Sequence, residues 1–153
     1  MPMPQSFEQT RVALTVEESR HFTLGTDKDD VWHSATPRYN LGYVHLGPEN
    51  RSFALSMVHE MHCLWILNRV FSSPGNPDRI PHARHCIGYL RHGVLCDADL
   101  TLEPGDFFER DFGEETARVG ETHECRDWSA VYDAAEKNWY EKIAPFRDGE
   151  AED

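Results

Sequence analysis

The chain has 153 residues, enough for one domain with a real hydrophobic core, and 39% of them are apolar and 11% aromatic. A formal net charge of −12 with neutral histidines argues against nucleic acid or an anionic membrane surface as a partner. No apolar run reaches the about 20 residues of a membrane-spanning helix, and Met1-Pro2-Met3-Pro4-Gln5 lacks the charged-then-apolar layout of a signal peptide.

Residues 1–20 read as a flexible polar arm, 21–146 as one compact domain and 147–153 as a disordered acidic tail. From Val31-Trp32 to Leu46, β-branched and aromatic residues mix with Pro37 and Gly42, which predicts short strands and turns. Ser52 to Phe71 is the first clear helix, stopped by Ser72-Ser73-Pro74-Gly75-Asn76-Pro77. A second helix starts near Pro81, a favourable first-turn residue, and runs to about Cys96. Residues 103–121 form a Gly-, Phe- and charge-rich loop. Asp127 is placed to cap a third helix on which Trp128, Val131, Ala135 and Trp139 recur at helical spacing. The expected class is mainly α with short N-terminal β-strands, a single compact domain built on two motif-bearing helices.

Those two helices carry the chemistry. His59-Glu60-Met61-His62-Cys63 and His82-Ala83-Arg84-His85-Cys86 both read H-x-x-H-C and hold four of the nine histidines and two of the four cysteines. At about 100° per residue, Met57, Val58, Met61, Leu64 and Trp65 share one arc of the first helix, and His59, His62 and Cys63 another. On the second, His82, His85, Cys86, Tyr89, Gly93 and Cys96 fall on one side, beside an apolar stripe of Ile87, Leu90 and Val94. A short Pro-rich turn between the helices allows the two ligand faces to oppose one another. Imidazole and sulfur suit copper, zinc, iron and nickel, so His59, His62, His82 and His85 are the candidate ligands of one metal ion or two.

Lone histidines are usually hydrogen-bonded core residues, and His21, His33 and His45 are read that way. The His59-Glu60-Met61-His62 stretch fails the zinc-protease pattern, whose histidines stand four apart, and Glu60 points away from the His59/His62 face. It reads as solvated or as a brace for the ligands. Tyr89 lies one turn beyond His85 and is a candidate catalytic residue. So is His92, which with His123 is also a candidate to brace or join the ligands. Asp97 and Asp99 read as caps and braces of the helix end.

These motifs, the continuation Ile87-Gly88-Tyr89-Leu90-Arg91, the stretch Cys96 to Pro104 and His123-Glu124-Cys125-Arg126-Asp127-Trp128 resemble the UstYa-like oxidases of fungal secondary-metabolite clusters. The resemblance extends upstream to Trp32 and Gly42-Tyr43-Val44 and makes 21–146 a UstYa-like catalytic domain. It implies copper, with zinc or iron as alternatives, and oxidative tailoring at C–H bonds: cyclisation, desaturation, hydroxylation or halogenation. The implied partners are O2 and a small-molecule or peptide natural product, with homo-oligomerisation left open. Relatives commonly carry an amino-terminal membrane anchor. A secretory-pathway lumen or vesicle is therefore implied, and a soluble cytoplasmic location stays open.

Four cysteines allow a mixed His/Cys site or disulfides. A thiolate beside copper and oxygen is readily oxidised, and an even count in a secretory setting favours bridges. Cys86 and Cys96 on one helix stand about 15 Å apart, too far for a bridge. Cys63–Cys86 with Cys96–Cys125, or Cys63–Cys96 with Cys86–Cys125, remain. Asn50-Arg51-Ser52 is a glycosylation sequon. Two other classes compete: a non-redox isomerase or cyclase using the histidines for acid–base work, and a zinc-stabilised interaction protein.

Overall fold

The computed structural model describes residues 10–17, 19–37, 42–103 and 119–147. In chain order these form β1 (Arg11–Glu17), α1 (Asp29–Ser34), β2 (Tyr43–Leu46), β3 (Arg51–Ala54), α2 (Ser56–Ser72), α3 (Ile80–Asp97), β4 (Val119–Arg126), α4 (Trp128–Lys142) and α5 (Ala144–Arg147). Helices dominate and the strands are short, as the composition and spacing predict. Residues 1–9, most of the loop over 103–121 and the tail after Arg147 lie outside the described residues.

The core sits where the β2–β3 hairpin meets α2 and α4. Val44, Leu55, Val58, Val131 and Ala135 are buried there, with Leu46, Phe53 and Met57 packed around them. β2 and β3 pair antiparallel, Tyr43 opposite Ala54 and Leu46 opposite Arg51. The turn between them places Asn50 at φ 48°, a left-handed conformation that asparagine tolerates. α4 begins as its cap predicts: the Asp127 carboxylate accepts from the Ser129 and Ala130 amides at 3.0 and 3.3 Å.

Two asparagines tie separate elements together by imitating a backbone pair. Asn138 of α4 accepts from the His45 amide at 2.7 Å and donates to the His45 carbonyl at 2.9 Å. Asn68 of α2, 2% exposed, does the same with Gly25 at 2.9 and 3.0 Å. The second clamp holds the segment leading into α1 against α2.

Four expectations need correction. Val31 and Trp32 lie in helix α1, not in a strand. Acidic Asp29 and Asp30 in its first turn favour that helix end, and the Trp32 indole donates to the Thr23 carbonyl. Arg11–Glu17, assigned to a flexible arm, is a strand paired antiparallel with β4, Val12 opposite Cys125 and Leu14 opposite His123. Ser52 to Ala54, given to the first motif helix, belong to β3 (Arg51–Ala54), and α2 starts at Ser56. On α3, Ile87 and Val94 are exposed among the described residues, so that apolar stripe does not face the core.

Gly42 fixes how closely the hairpin approaches α2. Its φ is +80°, and a Cβ there would lie 2.4 Å from Val58 Cγ1 and 2.7 Å from Val58 Cβ. Its carbonyl accepts the Leu55 amide at 3.2 Å. Gly42→Ala should therefore destabilise the fold by about 2–5 kcal/mol, combining left-handed strain with overpacking. Chemical denaturation measures it, and a loss below about 1 kcal/mol would show that hairpin and helix separate easily.

Candidate functional site

α2 and α3 run antiparallel, joined through a single 3₁₀ turn at Pro77–Arg79. Their register sets the two H-x-x-H motifs against each other. His59 faces His85 and His62 faces His82, both at 5.5 Å between ring centroids. Along each helix the spacings are 6.4 Å for His59–His62 and 6.3 Å for His82–His85. Matched cross and lengthwise distances relate the motifs by a local pseudo-twofold axis. All four sequence-predicted ligands are thus gathered into one quartet.

The other cysteine–histidine partners obey the same symmetry. Cys63 and Cys86, each following the second histidine of its motif, are fully buried between the helices. Burial first, then the Cys86 thiol beside it and the Glu60 carboxylate, push the Cys63 thiol up to about 12. The expected bridges are not formed: Cys63, Cys86, Cys96 and Cys125 are all free thiols. Cys96 is exposed on the outer end of α3, whereas Cys63 and Cys86 serve as small apolar packing between helices.

Tyr89 packs on the quartet, 4.1 Å from His59 and 6.0 Å from His85 between centroids. His92 does not join it. It is exposed, and its Nε2 meets the Arg91 guanidinium at 3.3 Å. Glu60 is not freely solvated. Its carboxylate lies against Gly93, where a Cβ would meet Oε1 at 2.3 Å. Burial, then Asp97, raises its pKa.

The electrostatics favour neutral, lone-pair-bearing imidazoles. Burial, then His85 and His82, lowers the pKa of His59. Burial, then His82, His59 and His33, lowers that of His62. Burial and the neighbouring rings thus disfavour a proton on His59 and His62, which leaves their ring nitrogens free to act as ligands. A metal about 2 Å from each nitrogen places ligand centroids roughly 5–6 Å apart, close to the spacings here. Donor chemistry and spacing fit a soft or borderline metal. The rings are not yet closed around a point, since no three His, Cys, Asp or Glu side chains among the described residues form a ready-made ion site.

A cavity of about 440 Å³ opens beside His59 and His62, walled by Trp32 and His33 of α1, Tyr43 of β2 and Trp65 of α2. His33 lies 4.6 Å from the Trp65 ring and lines this cavity instead of the core. His21, also expected in the core, is exposed. Sequence reasoning missed His33 because no spacing links it to the doubled motif; its only signal is the neighbouring Trp32.

The UstYa family profile, described as "Mycotoxin biosynthesis protein UstYa", matches residues 13–142. The chain belongs to the UstYa family. It is similar to "UstYa family oxidase phomYb" of Diaporthe leptostromiformis, 32% identical over 54% of this chain and 34% of that protein. It is similar also to "Oxidase ustYa" of Aspergillus flavus, 32% identical over 60% of this chain and 43% of the relative. "Hydroxylase cctR" of Talaromyces islandicus is 32% identical over 56% and 33%. The chain thus spans a third to two fifths of the length of these relatives. No solved structure matches it. No helix among the described residues of this UstYa-family chain is long and apolar enough to cross a membrane.

His123 is well separated from the quartet. From His85, α3 runs on to Asp97, about 18 Å at 1.5 Å per residue. Past that end, His123 Nδ1 donates to Asp99 Oδ2, while Asp97 pairs with Arg126 at 3.3 Å. Asp97 and Asp99 therefore brace the helix end against β4, as their positions suggest. The hydrogen bond from His123, then those from the Thr101 amide and hydroxyl, hold the Asp99 carboxyl at about 2. A depressed carboxyl contributes stability that is present above its ordinary value of 3.8 and is lost as the pH falls through about 2. Asp99→Asn should lower the melting temperature near neutral pH and flatten the loss of stability across that acid window. An unchanged acid profile, read by thermal melts against pH, would remove Asp99 from the brace.

Proposed function

We propose that this chain is a copper-dependent oxidase that tailors a fungal natural product at a C–H bond. The observation that carries the reading is the quartet of His59, His62, His82 and His85, two matched pairs crossing between antiparallel helices at 5.5 Å. Family membership over residues 13–142 and relatives named oxidases and a hydroxylase support an oxidative role. In this reading His59, His62, His82 and His85 would hold the copper, as one ion or a close pair. Copper held there would supply one-electron redox chemistry coupling O2 reduction to substrate oxidation.

The protein's own part is to hold, orient and exclude. Lowered basicity keeps His59 and His62 unprotonated near neutral pH. Imidazoles tolerate an oxidant better than thiolates do, and the Cys63 thiol is pushed up to about 12, where it stays protonated. Tyr89, against His59, restricts how that ring turns and offers a hydroxyl near the quartet. His92 has no part in this reading, because it faces out beside Arg91.

Metal analysis and EPR of natively purified protein test the centre directly. The doubly substituted His59→Ala/His85→Ala protein should lose most copper while keeping its helical circular dichroism; full occupancy would overturn the ligand set. Activity is tested with metabolites of the protein's own pathway, a reductant, and air or argon. Product should form only with air and copper, with deuterium lost from the reacting carbon. Tyr89→Phe should slow turnover while leaving copper content unchanged. Equal product under argon, or with zinc, would instead assign the histidines to acid–base chemistry.

A further inference from the structure

The cavity beside the quartet has a composition that selects its occupant. Its volume of about 440 Å³ falls within the roughly 300–1,000 Å³ of pockets that hold small organic ligands. Among the described side chains lining it there is no carboxylate, ammonium or guanidinium. Asp29 and Arg69 are committed to Trp65 and to each other. Asp29 accepts the Trp65 indole N–H at 3.0 Å, and Arg69 lies 3.9 Å from Asp29 and 5.2 Å over the Trp65 ring. The Trp32 indole N–H is likewise spent on the Thr23 carbonyl at 3.3 Å.

Both indoles therefore have only ring surface left to offer. Leu55 and Val58 add aliphatic surface, and the polar groups among the described lining are the His33, His59 and His62 imidazoles and the Thr36 and Tyr43 hydroxyls. In the metal-free chain an ionised group entering here would give up its hydration with no carboxylate, ammonium or guanidinium among the described lining to meet it. A neutral, flat hydrocarbon group loses little and gains contact with aromatic walls. His59 and His62 line the cavity, whereas His82, His85 and Tyr89 do not.

We propose that this cavity is the substrate pocket, that it takes an uncharged aromatic or unsaturated ring of the substrate, and that Trp32, Trp65 and His33 determine this selection. The ring lies against the indoles, and His33 or Thr36 hydrogen-bonds a neutral hydroxyl or carbonyl at its edge. Its C–H bonds then face the His59–His62 side of the quartet. The proposal rests on the oxidase reading for the meaning of that orientation, but the binding itself is independent of copper.

The test uses chelator-treated full chain and three matched probes: 2-naphthalenemethanol, 2-naphthoate and 2-naphthylmethylammonium. Binding is followed through the indole N–H signals in NMR spectra, assigned by single Trp→Phe substitutions. The neutral alcohol should bind at least tenfold more tightly than either ion and shift the Trp32 and Trp65 signals, not those of Trp128 and Trp139. Ala54→Phe, which fills the cavity from exposed β3, should remove this binding, and Thr36→Asp should bring in the ammonium probe. His82→Ala/His85→Ala should lose copper yet keep the alcohol, so failure of the metal reading and failure of the pocket are separately visible. Equal affinity for all three probes, or shifts confined to Trp128 and Trp139, would overturn the proposal.

Discussion

The register of α2 against α3 is the constraint on which the site depends. An H-x-x-H pair occupies one side of a helix, so two such pairs meet only if the helices run antiparallel and align to within a residue. The turn at Pro77–Arg79 sets the reversal, with Asn76 accepting the Asp78 amide at 3.1 Å and Arg79 donating back to the Arg69 carbonyl at 3.1 Å. Cys63 and Cys86 then set the closeness. A larger side chain at either fully buried position would force the helices apart and lengthen both 5.5 Å crossings at once. The sulfur atoms thus act on the histidines through packing.

α2 supports three contacts on three faces. Val58 points into the core beneath the hairpin and α4. Cys63 faces α3. Trp65, Asn68 and Arg69 hold the segment containing α1 through Asp29 and Gly25. His59 and His62 lie between the core face and the α3 face, which is why their rings meet both the cavity and the quartet. Gly42 has a matching role, since only a residue without Cβ lets the hairpin close over Val58 at the cavity edge. Fold stability and pocket shape are therefore coupled at Val58, and substitutions there should disturb both.

Much of this was legible in the sequence. The two motif helices, the breaker between them and the Asp127 cap follow from periodicity and local turn chemistry, which act over a few residues. The facing of the histidines follows from the doubled spacing. β1 was not legible, because its partner β4 lies more than a hundred residues away and its side chains are mostly exposed, leaving no one-sided apolar pattern. α1 was misread because Val31 and Trp32 favour strands, while the tertiary ties from Trp32 to Thr23 and from Asp29 to Trp65 decide for a helix. Asn68 gave no signal at all. Within an apolar helix it looks like an intrusion, and only the distant Gly25 backbone explains it. The cavity was hidden for the same reason: its walls come from α1, the hairpin and α2, and no local rule assembles them.

The quartet combines a symmetric set of imidazoles with asymmetric surroundings. The pseudo-twofold axis makes His59 equivalent to His82, and His62 to His85, in spacing alone. In setting they differ: His82 and His85 on α3 are exposed, whereas His59 and His62 on α2 are half-buried beside the cavity. A centre built from these rings has one side open to small diffusing molecules and another closed against an apolar chamber. Symmetry supplies matched donors from a short repeated motif, and the packing of α1 and the hairpin on only one helix gives the site its direction. A reaction needing a small polar reactant and a larger apolar one has separate approaches for each. That separation comes from the chain outside the motifs, so the doubled pattern alone would not recreate it on another hairpin of helices.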